Sequence, residues 1–197
     1  LANRNIPARV VYGIRLTATG SFLYGGNPFV LGEFPIAGWP DLEEHPSAAA
    51  CYPFDQYLVA WHSDQGTGGA DYAIYAYSLN GDAVPQTVTL ISDTTSPQLQ
   101  VDLTCNFQGN GYFIAWQDQY VSGEFGIWGR LAYPNGSLDP EFAVAAPRQA
   151  ADRQYPAVAG GRSNYLAAWE HDQDFGVNVD IYGRLLGYFM YLPLVKR

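Results

Sequence analysis

The apolar and polar positions of this 197-residue chain repeat at long range. A short, continuous apolar run, Tyr57-Leu58-Val59-Ala60-Trp61, returns as Tyr112-Phe113-Ile114-Ala115-Trp116 and as Tyr165-Leu166-Ala167-Ala168-Trp169. The tryptophans are 55 and then 53 residues apart. Runs this short and this apolar predict strands buried on both faces. A repeat of that length is one supersecondary unit, which must stack on copies of itself to bury its apolar side.

Four strand signals recur in each unit. The first follows a proline, at Pro46 to Ala50, Pro97 to Val101 and Pro156 to Ala159. Proline at a strand start costs no ladder hydrogen bond. The second is the tryptophan run. Polar, glycine-bearing loops follow, at His62 to Ala70, Gln117 to Glu124 and Glu170 to Asn178. The third strand reads Ile74-Tyr75-Ala76, Ile127-Trp128-Gly129 and Ile181-Tyr182-Gly183, with a small residue that permits close approach. Asn80-Gly81 and Asn135-Gly136 predict type I′ hairpin turns. The fourth strand is Thr87 to Ile91 and Glu141 to Val144. Helix signals reduce to one turn at Asp41 to Glu44, bracketed by Pro40 and Pro46.

The predicted fold is all-β, a β-propeller type built from four-stranded antiparallel blades. The pattern resembles the repeats of bacterial secreted and cell-surface β-propeller proteins. Asp180-Ile181-Tyr182-Gly183-Arg184-Leu185 carries the resemblance best, beside the Tyr-Leu-Val-Ala-Trp strand. The resemblance implies architecture and a secreted or surface setting, and leaves function open because one fold hosts many functions. The Gly-His and Trp-Asp marks of WD40 repeats are absent, as is the Ser-x-Asp-x-Gly-x-Thr-Trp box of sialidase-type propellers.

The expected organisation is one repeat domain over residues 1–197, with a half blade at 1–44, blades at 45–95 and 96–154, three strands at 155–187 and a tail strand at 188–197. In the half blade, Val11 to Leu16 matches a third strand and Pro28-Phe29-Val30-Leu31 a fourth. The strands sum to about three and a half blades. A half blade exposes sheet edges and apolar faces, so something must cover them. The leading expectation is self-association, with a neighbouring copy completing the blade in an oligomer or filament. Internal closure into a small ring and a place within a longer propeller are the alternatives. The expected assembly residues are Val10, Tyr12 and Ile14 at one end and Tyr188, Phe189, Tyr191, Leu192 and Leu194 at the other. The latter stretch is apolar and β-prone, which suits strand addition to a neighbour.

Composition narrows the partners. A net charge of −9 argues against nucleic acid and against anionic lipid surfaces. No apolar run approaches the length of about 18 residues that a membrane span needs. With only ten Lys and Arg, the surface is of an extracellular or cell-surface kind. Cys51 and Cys105 sit at matching places, ten and eleven residues before their tryptophans. They are either a disulfide between neighbouring units or two buried thiols.

Candidate chemistry is sparse. Asp64, Asp118 and Asp172 recur two or three residues after each tryptophan. Repeated carboxylates suit turn capping. They also suit calcium, for which Asp172, Asp174, Asn178 and Asp180 form the best candidate set; no other cofactor is implied. His45, His62 and His171 have no nucleophile motif beside them. A Glu170/Asp172 pair fits glycoside hydrolysis less well than it fits a repeated loop role. Trp39, Tyr120 and Phe175 fall in predicted loops and are candidates for stacking on polysaccharide. Asn135-Gly136-Ser137 matches an N-glycosylation acceptor. The expectations, in order, are a non-catalytic extracellular structural or assembly subunit, a carbohydrate-binding propeller, and a polysaccharide-active enzyme.

Overall fold

The computed structural model describes residues 9–16, 19, 22–23, 33–37, 42–52, 54–64, 72–82, 84–108, 111–119, 123–147, 151–172 and 178–187. Among these residues every regular element is a β-strand and every pairing is antiparallel. The first sheet joins β1 (Tyr12–Leu16) to β2 (Phe22–Leu23) and β3 (Glu33–Pro35) in the order β2-β1-β3. The second is a meander of β4 (Glu43–Cys51), β5 (Gln56–Ser63), β6 (Ala73–Asn80) and β7 (Pro85–Ser92). The third repeats it with β8 (Gln98–Cys105), β9 (Tyr112–Gln119), β10 (Phe125–Ala132) and β11 (Phe142–Ala145). The fourth holds β12 (Asp152–Gly160), β13 (Asn164–Asp172) and β14 (Val179–Gly187). No described helix is long and apolar enough to cross a membrane.

The sheets stack in chain order, and three apolar clusters lie between them. Val11, Ile36 and Phe34 of the first sheet meet Val59, Trp61 and Tyr75 of the second. Leu58, Ala60 and Ile74 on the other side of the second sheet meet Leu103, Ile114 and Trp116 of the third. Phe113, Ala115 and Ile127 on the far side of the third meet Tyr165, Ala167 and Trp169 of the fourth. Each sheet therefore has a forward face toward the next sheet and a backward face toward the previous one. Alternation along a strand divides the residues between them: Leu58 and Ala60 point forward, Val59 and Trp61 backward. Among the described residues the four sheets do not close a ring.

The first strands of the last three sheets share one irregularity. Two residues of β4, His45 and Pro46, oppose the single Trp61 of β5. Gln100 and Val101 oppose Trp116, and Tyr155 and Pro156 oppose Trp169, in the same way. The leading residue of each bulge has positive φ: 50° at His45, 51° at Gln100 and 52° at Tyr155. One extra residue bends the strand and increases its twist. The tryptophan thus sits where the sheet turns most sharply. Across the other side of the second strand an aromatic faces it, as Trp61–Tyr75, Trp116–Trp128 and Trp169–Tyr182.

The bent first strands gather side by side, and Asp102 of β8 ties them. Ser47 Oγ of β4 donates to Asp102 Oδ1 at 2.6 Å, and the Val158 N–H of β12 donates to Oδ2 at 2.8 Å. At their other ends Cys51 and Cys105 form a disulfide with Cα atoms 5.3 Å apart. A Cβ on Gly160 of β12 would lie 2.1 Å from the Cys105 carbonyl oxygen, so β12 approaches β8 through glycine. Two further ties recur between sheets. Tyr112 Oη donates to the Gln56 carbonyl at 3.1 Å, and Tyr165 Oη to the Gly111 carbonyl at 2.9 Å. The Arg130 guanidinium donates to the Ile91 carbonyl on β7, and Arg184 Nη1 to the Val144 carbonyl on β11 at 3.0 Å.

Several expectations change. Pro46 and Pro156 lie inside β4 and β12, at the bulges, where the lost N–H is also harmless. Pro97 instead precedes β8, and Val101 holds the corresponding bulge position. The helical turn at 41–44 is not formed: Glu43 and Glu44 open β4, paired with Ser63 and His62. Neither Asn80 nor Asn135 has positive φ, so neither loop is a type I′ turn. Both loops are longer than two residues, and Asn135 Oδ1 instead accepts from Ser137 N–H at 3.0 Å and Oγ at 2.7 Å. The fourth-strand role in the first sheet belongs to β3, since Pro28 to Leu31 lies outside the described residues.

Asp102 gives a direct test of how the first strands are held. Asp102→Ala leaves the Val158 N–H and the Ser47 hydroxyl without their acceptor and should cost about 2 kcal/mol. Asp102→Asn keeps one acceptor oxygen and should cost less. Urea unfolding of both variants checks the order; an alanine variant as stable as the parent would mean the three strands are held by packing alone.

Candidate functional site

Polar side chains concentrate at one end of the stack, where the starts of β4, β8 and β12 meet the ends of β5, β9 and β13. Glu43, Gln98 and Arg153 occupy equivalent positions there and all are buried. Gln98 Nε2 donates to Ser92 Oγ at 2.6 Å, to Thr94 Oγ1 at 3.0 Å and to Asp118 Oδ2 at 3.4 Å. Ser96 Oγ donates to the other oxygen of Asp118. Burial pushes the Asp118 carboxyl above the usual range, against the hydrogen bonds from Ser96, Gln98 and Thr94. Gln117 Oε1 accepts the N–H of Tyr155, the bulge residue of the next sheet, at 3.1 Å. Asp64 Oδ1 accepts the Leu42 N–H at 3.0 Å, while its own N–H donates to the Leu42 carbonyl at 3.1 Å. These groups fasten backbone that would otherwise be buried and unsatisfied.

His62 stands out within this layer. It is 2% exposed, stacked on His45 with centroids 5.1 Å apart, and edge-on to Tyr72 at 5.1 Å. Its Nε2 lies 3.7 Å from Glu44 Oε2, and Arg9 also pairs with Glu44. Burial and then the neighbouring His45 lower its pKa to about 4. The ring is thus held neutral between two sheets, where it acts as a packed, uncharged side chain.

The expected calcium set is only partly in view. Asp172 closes β13, opposite Asp152 and Val179; Asn178 immediately precedes β14 and Asp180 lies within it, opposite His171; Asp174 lies outside the described residues. Among the described residues no three His, Cys, Asp or Glu side chains are grouped as metal ligands. The expected sugar-stacking residues Trp39, Tyr120 and Phe175 all lie outside the described residues. So do Tyr188, Phe189, Tyr191, Leu192 and Leu194 of the expected assembly tail. Two other rings, which sequence reasoning passed over, are displayed. Tyr52 is 85% and Phe107 79% exposed, each at the tip of the hairpin after a first strand. They occupy equivalent positions next to the Cys51–Cys105 bridge. The expected assembly residues at the other end divide: Val10 is half-buried, whereas Tyr12 and Ile14 are exposed.

The two ends of the stack both expose large apolar side chains. Leu166, Ile181 and Leu185 point forward from the fourth sheet, at the positions of Phe113, Ile127 and Leu131 in the third. Phe113 and Ile127 are 1% and 0% exposed, but Leu166 and Ile181 are 47% and 74% exposed. At the other end Tyr12, Ile14 and Leu16 point backward from β1 and are exposed as well. A groove of about 550 Å³ runs beside them, floored by Val59 and Leu79 of the second sheet. The signal for the fourth-sheet face was present in the repeat itself, since aligning Ile181 with Ile127 marks it as a core position.

Set against known proteins, the chain matches no family model, and no curated protein matches it in sequence.

The His62 environment predicts a pH dependence. The folded chain keeps His62 neutral down to about pH 4, while the unfolded chain protonates it below its ordinary value of 6.5. Its contribution to stability is therefore complete above pH 6.5, falls as the pH drops toward 4, and levels off below. Its full size is about 3 kcal/mol. Glutamine, the residue at the equivalent Gln117, removes the titration in His62→Gln. Urea midpoints at pH 7.5 and 4.5 should then differ less in the variant than in the parent; equal losses would clear His62 as the cause.

Proposed function

We propose that this protein is a non-catalytic, β-propeller-type structural subunit of the cell exterior, whose open sheet face is completed by another copy of the chain. The observation that carries the reading is the contrast between Ile127, fully buried under the following sheet, and Ile181, 74% exposed at the same position with no described sheet over it. Contiguous exposed apolar surface of this kind marks an association site. Covering each large aliphatic side chain contributes about 1.5–3 kcal/mol. The propeller assignment is supported by four antiparallel sheets stacked face to face, with the first strands of the last three gathered together. The exterior assignment is supported by the Cys51–Cys105 bridge, because disulfides persist in oxidising compartments.

Light scattering over a range of concentrations tests the reading, with electron microscopy of the same sample. Self-association is expected, and Leu185→Asp should reduce it, while Tyr52→Ser, at a remote hairpin tip, should leave it unchanged. A species of 21.7 kDa at all concentrations would sink the proposal.

Tyr52 and Phe107 favour carbohydrate binding as a second reading. Two exposed rings on neighbouring tips, fixed by a disulfide, offer flat faces to sugar C–H groups at low entropic cost. Binding of the protein to insoluble polysaccharides, measured by co-sedimentation, should fall at least about tenfold in the Tyr52→Ala/Phe107→Ala variant, for a stacking loss of about 1.4 kcal/mol. Unchanged sedimentation would remove this reading.

A further inference from the structure

Each sheet-on-sheet contact in this molecule joins a forward face to a backward face. The pairing holds three times: first sheet to second, second to third, third to fourth. In no case does a face meet its own kind. The two uncovered ends follow the same polarity. The fourth sheet presents a forward face, with Leu166, Ile181 and Leu185 at the positions that Phe113, Ile127 and Leu131 fill in the third. The first sheet presents a backward face. Its Tyr12, Ile14 and Leu16 alternate along β1 opposite in parity to Val11, which is buried against the second sheet. Tyr12 stands where Tyr75 and Trp128 stand in the next two sheets, and those rings pack backward onto the preceding sheet.

We infer that, if the self-association reading above holds, copies associate head to tail: the forward face of β13 and β14 in one copy seats against the backward face of β1 in the next. The occupant is a second copy because the contact continues, in kind and polarity, an interface the chain already makes three times within itself. A contact of this type is heterologous. It uses two different patches, so it propagates into a ring or a filament, and no two-fold dimer satisfies both ends.

Two single-end variants test this. Ile181→Glu blocks the forward face and Tyr12→Glu the backward face. Both residues are exposed, so each variant should fold, which circular dichroism and the unfolding midpoint verify. In about 0.15 M salt, so that the net charge of −9 is screened, each variant alone should run at the chain mass of 21.7 kDa. Mixed one to one, the two should give a species of twice that mass and nothing larger, because each pair has a single intact forward–backward contact left. Variants that stay monomeric when mixed would overturn head-to-tail pairing. So would a parent that assembles, an Ile181→Glu chain that does not, and a Tyr12→Glu chain that assembles normally; that result would leave self-association standing through like faces. A monomeric parent would remove both the inference and the reading on which it rests.

Discussion

A strand with apolar side chains on both faces has to be covered on both faces. That constraint organises the whole molecule. The run from Tyr57 to Trp61 puts Leu58 and Ala60 on one side of β5 and Val59 and Trp61 on the other. No two-layer arrangement can bury both sets. A stack can, and the second and third sheets show it: β5 and β9 are buried almost throughout. The same motif in β13 alternates between more and less buried positions, and among the described residues the fourth sheet has a neighbour on one side only. The sequence motif is the same in all three; its burial is decided by what stands next to it.

Stacking alone would give a flat pile, and the first strands prevent that. A bulge opposite each tryptophan bends them at the same place in every repeat, at a backbone cost of about 1–3 kcal/mol for each non-glycine residue held at positive φ. The gathering of β4, β8 and β12 lets short-range ties substitute for apolar burial where the strands crowd. Asp102 is the centre of that arrangement, since its two oxygens serve two different sheets. Farther out, Tyr112 and Tyr165 tie the second strands and Arg130 and Arg184 reach the fourth strands of the preceding sheet. This gives the Tyr and Arg of the repeat a physical reason: each reaches a carbonyl of the sheet before it. Tyr57, with no such strand before it among the described residues, is exposed at 40%.

The repeat length, the second and third strands and the all-β class could be read from the chain because they depend on local apolar pattern. The bulges could not. Positive φ is signalled by glycine or asparagine, and here it falls on His45, Gln100 and Tyr155, at the bulges opposite the tryptophans. For the same reason Pro46 and Pro156 read as strand openings when they are bulge residues. The polar layer around Gln98 and Asp118 was equally hidden, since its members come from separate strands and a connecting loop. Exposed and buried aromatics also look alike in a sequence: nothing local separates Phe107, displayed at a hairpin tip, from Phe113, closed in the core.

The polarity of the stack has a consequence for what can cover its ends. A backward face carries Trp61 and Tyr75 or Trp116 and Trp128; a forward face carries Ala60 and Ile74 or, beside Phe113, Ala115 and Ile127. Trp116 shares its cluster with Ala60, and Trp169 with Ala115, so at these places a large ring meets a small residue, which favours close packing without voids. The fourth sheet carries Ala168 and Gly183 in its open face, between Leu166 and Ile181. Tyr12 on the uncovered β1 face stands at the position of Trp128, whose ring packs with Ala60 and Ile74 of the preceding sheet, so Ala168 and Ile181 of another copy would offer it the same surroundings.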